Sequence, residues 1–344
     1  MHSFNFNKKI NIQNITVGED QPVFIIAEAG VNHLGSVKKA KNLVDLSVNA
    51  KADAFKIQVF NTDRLISQES VEWKNRLLPK ELTHDEVREI KDYCQQRRII
   101  FLATAHEEES LRFIESLDVQ AYKIGSGEVN NLAFIREVAK KKRPVLLSTG
   151  MYTLEEVGQA LECILNEDNR EVVILHCVTL YPSPPEEVNL NAIDTIRKEF
   201  NVLVGYSDHT VGTEIPLAAV AKGACVIEKH ITIDRDIPDA QDWKVSCGPE
   251  DFPQFVRSIR NIQAALGTGI KIPAKKELES KKWARKSLVA KVDIIEGSEI
   301  QIDMLIFKRP GTGISPDDIN KVVGMQAAVD IKADSIVTWE KLKK

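Results

Sequence analysis

The chain predicts an α/β fold: a (β/α)8 barrel followed by a small β-rich C-terminal domain. Three observations carry this reading. From residue 23 to about residue 267, short apolar, β-branched runs alternate strictly with amphipathic stretches of helical period. Eight of each can be counted, the number that closes a parallel barrel. After Leu266 the texture changes to a charged segment and then to short strand-like runs with turn signals. An open doubly wound sheet is the alternative, because a count from one sequence can gain or lose a strand.

The predicted strands are 23–27, 54–59, 99–103, 121–124, 145–147, 172–176, 202–205 and 225–228. They are short and nearly uniformly apolar, as strands covered on both faces should be. Helical periodicity fills 37–50, 83–97, 107–117, 132–140, 153–166, 190–200, 211–222 and 251–266. Ser36 is a predicted N-cap, and Thr83 with Glu86 has the spacing of a capping box. Residues 61–82, between the second strand and its helix, are too long for an ordinary connection and read as a lid. The domain reading is therefore a barrel over 1–267, a charged linker over 268–282 and a second domain over 283–344. That last piece holds SLVAKVDIIEGSEI, with Gly297 as a turn signal, and KRPGTGIS. It buries little core alone and should lean on the barrel or on another subunit.

Composition narrows the class. A net charge of −4 and scattered basic residues give no reason to expect nucleic acid or an acidic membrane as partner. No stretch approaches the ~18 apolar residues of a membrane span. The N-terminal MHSFNFNKKINIQ lacks the apolar core of a secretory signal. Cys94, Cys163, Cys177, Cys225 and Cys247 form no CxxC pair and are odd in number, which suits reduced thiols in the cytoplasm. Cys177 stands beside a strand end but reads as a buried, inert thiol.

Barrel enzymes carry their chemistry at the C-terminal ends of strands. Strand one ends in Glu28, Asn32 and His33; strand two carries Lys56 and Gln58 on one face by the period of two. Strand three ends at Thr104, and strand four runs into KIGSGE with Lys123, Ser126 and Glu128. Strand five supplies Ser148 and Thr149; strand six His176, Thr179 and Tyr181. Strand seven supplies Ser207, Asp208 and His209, and strand eight Glu228 and His230. Two lysines, the hydroxyls at 104, 126, 148 and 207 and the glycine amides of GSG and STG suit a small phosphate-bearing anion. A Schiff-base lysine is the rival reading. His209 and His230 lie one strand–helix repeat apart and would end consecutive strands, with Glu28 across the closure. Imidazole, oxygen ligands and water suit Mn²⁺, Co²⁺, Fe²⁺ or Mg²⁺ better than a closed zinc site.

AEAGVNHLG, FKIQ, YKIGSGE, LSTGM, GYSDHT and EKHIT, followed by KRPGTGIS, resemble the sialic acid synthases, enzymes that condense phosphoenolpyruvate with an amino-sugar. The resemblance spans essentially the whole chain. It implies a TIM barrel with an antifreeze-like (SAF) domain at the C-terminus, in a domain-swapped homodimer. By motif, Lys56, Thr104, Lys123, Ser126, Ser148 and Ser207 would surround phosphoenolpyruvate. His209 and His230 would hold a divalent metal, Mn²⁺ first, with Mg²⁺ or Co²⁺ as alternatives. Gln58, Tyr181 and Asp242 would contact the acceptor sugar, with Glu128 and Thr179 lining the same mouth. Glu28 would sit between metal-bound solvent and the reacting carbons, and Arg309 would reach the sugar's N-acyl group from the partner subunit. The family's STPF reads ATAH here, HCTNxYP reads HCVTLYP, and PGPD gives way to PDAQDWKVS before the acceptor aspartate. These departures bear on the acceptor. Within the resembled family the acceptor would be N-acetylmannosamine, its 6-phosphate or a 2,4-diacetamido-trideoxyhexose, with an unphosphorylated sugar preferred. A metal-dependent aldolase on the same barrel and a non-catalytic sugar- or ice-binding protein are the other readings.

Overall fold

The computed structural model describes residues 4–237, 240 and 242–344. Eight parallel strands close a barrel: β1 Phe24–Gly30, β2 Ala54–Val59, β3 Ile100–Ala105, β4 Tyr122–Ile124, β5 Val145–Ser148, β6 Val172–Cys177, β7 Leu203–Asp208 and β8 Val226–His230. Each pairs with the next in chain order, and β8 returns to β1 with His230 opposite Glu28. A helix follows every strand, and the last, Asp251–Leu266, completes the ring.

The period of two sorts each strand's side chains into two layers. Phe24, Ile26, Ala54, Ile100, Leu102, Leu146, Val173, Leu175, Leu203 and Val226 pack together inside the barrel. Their neighbours, such as Ile25, Phe55, Phe101, Val145, Ile174 and Ile227, pack outward with the helices. An N-terminal hairpin, Lys9–Ile12 with Ile15–Gly18, pushes Ile10, Ile12 and Val17 into the inner cluster. This hairpin thus covers the apolar layer at the N-terminal end of the barrel.

Local chemistry fixes the helix starts. The Ser36 hydroxyl accepts from Lys39 N at the head of Val37–Ala50. Thr83 and Glu86 form the reciprocal capping box of His84–Gln96, and Thr153 with Glu156 repeats it. The long segment after β2 is not bare loop: it holds the short helices Thr62–Leu65 and Val71–Leu77 and the turn Leu78–Lys80.

The chain divides into two compact units, Met1–Gly267 and Thr268–Lys344. Within the second, the helix Glu277–Ala284 occupies part of the stretch expected to be linker. Ser287–Ala290 pairs antiparallel with Leu305–Lys308, and Gln326–Ala327 with Leu342–Lys343. Leu288, Ala290, Ile294, Ile300, Ile314, Val322 and Val337 form its own small core. No helix among the described residues is long and apolar enough to cross a membrane.

Candidate active site

Above the apolar layers the inward face turns polar. Glu28, Lys56, Thr104, Lys123, Ser148, Ser207, Glu228 and His230 are all buried there. Lys56 Nζ lies 2.5 Å from Glu28 Oε2, donates to Thr104 Oγ1 at 2.9 Å and stands 3.6 Å from Glu228 Oε2. Lys123 Nζ is 3.7 Å from Glu228 Oε1, which also accepts from Ser207 Oγ at 2.9 Å. Two ammonium groups and two carboxylates thus share one buried floor.

The two carboxylates differ in environment. Burial pushes Glu28 up to about 7, despite the opposing pull of Lys56. Burial also raises Glu228, but Lys123 and Lys56 outweigh it and hold the group at about 2. Glu228 is a fixed counter-charge, whereas Glu28 can exchange a proton near neutrality. Burial drives Lys123 below the ordinary lysine value. Glu28 Oε1, Glu228 Oε2 and Ser148 Oγ have no hydrogen-bond partner in the protein, as expected of groups facing a polar ligand.

Beside this floor, Ser126 Oγ accepts from Gly150 N at 2.9 Å, tying the GSG loop after β4 to the STG loop after β5. Thr179 joins them: a Cβ on Gly150 would fall 2.1 Å from Thr179 Oγ1 and 2.8 Å from Ser126 Oγ. Only glycine admits that approach. Glu128 is buried but engaged within its own loop, accepting from Asn131 Nδ2 at 2.7 Å. Gln58 is half-buried opposite Thr104 in the register.

The imidazoles form the other flank. The ring centroids of His209 and His230 are 5.4 Å apart, and Tyr181 packs 4.0 Å from His209 and 5.9 Å from His230. His209 Nδ1 donates to Val178 O at 2.6 Å, and its Nε2 is hydrogen-bonded to the Tyr181 hydroxyl at 2.9 Å. His230 Nδ1 is buried without a partner, 3.8 Å from Asp242 Oδ2. Asp242 also accepts from Val31 N at 3.3 Å, and a Cβ on Gly30 (φ +53°) would lie 2.4 Å from its Oδ2. Burial, with His209 beside it, holds His230 neutral, the form that ligates a cation. Two neighbouring imidazoles, one with an orphaned nitrogen, are donors that suit a divalent cation. Among the described residues no group of three or more His, Cys, Asp or Glu side chains is placed to hold a metal ion by itself. Water or substrate oxygen would have to complete the coordination.

Arg309, in the second unit, is exposed. Pro238, Asp239 and Gln241, in the PDAQDWKVS loop, lie outside the described residues. The sequence reading passed over the site roles of two residues. Glu228 was noted at a strand end, but only its contacts with both lysines give it a part. His106 lies one inward step beyond Thr104, a position the period of two would have flagged.

A family model described as the NeuB family matches residues 43–271, and one for the SAF domain matches residues 285–343. The chain belongs to the NeuB family. Its relatives include the N,N'-diacetyllegionaminic acid synthase of Legionella pneumophila, 37% identical over 95% of this chain and 96% of that protein. The N,N'-diacetyllegionaminic acid synthase of Campylobacter jejuni is 38% identical over 91% of this chain and 98% of that protein. Among solved structures, the N-acetylneuraminic acid synthetase of Leptospira borgpetersenii superposes with a TM-score of 0.75 at 34% identity. That likeness covers 81% of this chain and 96% of the other. NeuB-family relatives of this chain are thus synthases of the sialic acid type.

Proposed function

We propose that this NeuB-family protein condenses phosphoenolpyruvate with the aldehyde of an N-acylated amino-sugar, N-acetylmannosamine or a close analogue, giving a nine-carbon 2-keto acid and phosphate. The observation that carries the proposal is the buried floor of Lys56, Lys123, Glu28 and Glu228 beside the Ser126–Gly150 cradle. It supplies fixed positive charge and hydroxyls for a small phosphorylated acid. A second reading takes a 2,4-diacetamido-trideoxyhexose as acceptor, and the two legionaminic acid synthases among the relatives favour it.

In this scheme Lys56 and Lys123, with Thr104, Ser126, Ser148 and Ser207, orient the carboxylate and phosphate. C3 of phosphoenolpyruvate attacks the acceptor aldehyde, and positive charge develops at C2. Glu28 faces that carbon, offsets the charge and takes the proton of the water that adds there. The aldehyde oxygen takes up a proton to become the new hydroxyl. The C2 hydroxyl loses its proton as the C2–O bond to phosphate breaks and the ketone forms, and the lysines hold the departing anion. A divalent cation held by His209 and His230, Mn²⁺ first with Mg²⁺ or Co²⁺ as alternatives, supplies Lewis-acid polarisation of the aldehyde when bound. Gln58, Tyr181 and Asp242 orient the sugar, Glu128 and Thr179 border its entry, and Arg309 of a second copy in a domain-swapped homodimer contacts the N-acyl group. The five free cysteines, all buried, support a cytoplasmic setting.

A heavy-oxygen label in the bridging position of phosphoenolpyruvate tests the scheme. It leaves in the phosphate if C2–O breaks; label retained in the keto acid would refute the mechanism. Mass spectrometry of the products from each candidate sugar decides between the acceptors.

A further inference from the structure

His106 is among the polar side chains of the barrel mouth that the scheme above leaves unassigned. Inside β3 the alternation runs Ile100, Leu102, Thr104, and His106 is the next residue in that phase. A Cβ built on Gly125 would lie 3.8 Å from both His106 Cε1 and Thr104 Cγ2. The imidazole and the threonine therefore flank the start of the Gly125–Ser126 loop together. The Phe60 ring meets His106 edge-on at 6.2 Å, giving it an apolar backing. Its Nε2 is buried and has no hydrogen-bond partner. Lys56, which donates to Thr104, and Lys123 are the cations that face the ring; Glu107 is the opposing charge.

A buried donor without a partner costs free energy unless a ligand satisfies it. Burial, followed by Lys56 and Lys123, lowers His106 to about 4. The ring is thus neutral rather than a third cation among the lysines, and a neutral imidazole carries one N–H to give. We infer that His106 is a further substrate-contacting residue, whose Nε2–H donates to a phosphoryl oxygen of the anion held at the Gly125–Ser126 loop. The inference rests on the phosphoenolpyruvate reading and assigns the phosphoryl end of that substrate to the side of the mouth where β3 and β4 end.

The test measures binding of inorganic phosphate and of pyruvate to the full-length protein, with steady-state kinetics for phosphoenolpyruvate and sugar. Loss of one neutral hydrogen bond weakens binding by about threefold to tenfold. His106→Phe keeps the ring packed against Phe60 and is expected to weaken phosphate, and raise the KM for phosphoenolpyruvate, by that factor. Pyruvate binding and the sugar KM should stay unchanged. His106→Gln, whose amide can present an N–H in place of Nε2, should recover much of the loss. Titrating phosphate into the wild-type protein should also shift the His106 ring-nitrogen resonance, a readout that does not depend on a variant folding. Phosphate affinity in His106→Phe within twofold of wild type, or equal loss of phosphate and pyruvate, would overturn the inference alone. A wild-type protein that binds neither phosphate nor phosphoenolpyruvate would overturn the proposed function, and this inference with it.

Discussion

Lys56 and Glu28 stand opposite each other on adjacent strands, and their side chains meet at 2.5 Å with both almost fully buried. Burial works to lower Lys56, but Glu228 and Glu28 outweigh it and keep the ammonium charged. Glu28, with burial as the dominant influence, is left titrating near neutrality. One lysine between two unlike carboxylates therefore separates a proton-exchanging group from a permanent anion.

The first prediction concerns pH. If Glu28 takes the proton of the adding water, its ionised form is the active one. kcat/KM for phosphoenolpyruvate should then rise with pH through about 7, the value of Glu28 in the free protein. Glu28→Gln should lower kcat by about 10²-fold or more and flatten that limb. A limb that persists unchanged in the variant assigns it to another group.

A second prediction concerns the scaffold behind the histidines. Asp208 and Lys229 point outward from β7 and β8, 2.5 Å apart, with side chains 0% and 1% exposed. Each directly precedes one of the two histidines. Lys229→Met would strand a buried carboxylate at a cost of about 3–5 kcal/mol, read by denaturant unfolding. Adding Asp208→Asn should restore part of that loss. A single variant as stable as wild type would show that the pair is not needed to hold β7 against β8.

Metal binding gives the third. His230→Ala and His209→Ala should each abolish high-affinity Mn²⁺ binding in direct titration, whatever the activity. Tyr181→Phe removes the hydroxyl that occupies His209 Nε2 and should leave the metal affinity unchanged or tighter. Wild-type Mn²⁺ affinity in either alanine variant would end the assignment of these imidazoles.

The fourth addresses the assembly. Arg309→Ala and Glu28→Ala proteins should each be inactive alone. Mixed and allowed to exchange subunits, they should regain part of the activity if Arg309 acts across a dimer. No recovery after demonstrated exchange would mean that each chain is self-contained.

Much of this architecture was legible in the sequence because buried parallel strands announce themselves as apolar runs. The runs at 54–59 and 172–176 fall within one residue of the strands formed, and Thr83 with Glu86 caps its helix as the spacing predicts. The period of two also set Lys56 and Gln58 on one face before any coordinates. The hairpin Lys9–Ile12 with Ile15–Gly18 escaped notice because four-residue strands carry barely one alternation, although Ile10 and Ile12 show it. Helices as short as Thr62–Leu65 complete only one turn and leave no period to read. The Asp208–Lys229 pair depends on the register between β7 and β8, which no local pattern encodes. The division of labour between Glu28 and Glu228 rests on burial and three-body electrostatics, so only the folded arrangement reveals it.

The central claim is a metal-dependent condensation at the Lys56–Lys123 floor. Phosphate release from phosphoenolpyruvate, followed with N-acetylmannosamine and with a 2,4-diacetamido-trideoxyhexose, in Mn²⁺ and after chelation, tests it most directly. The account predicts phosphate release that requires one of these sugars and Mn²⁺, stops with chelator and is lost in Lys123→Met. Release that proceeds equally without sugar, or that survives full chelation, would contradict it.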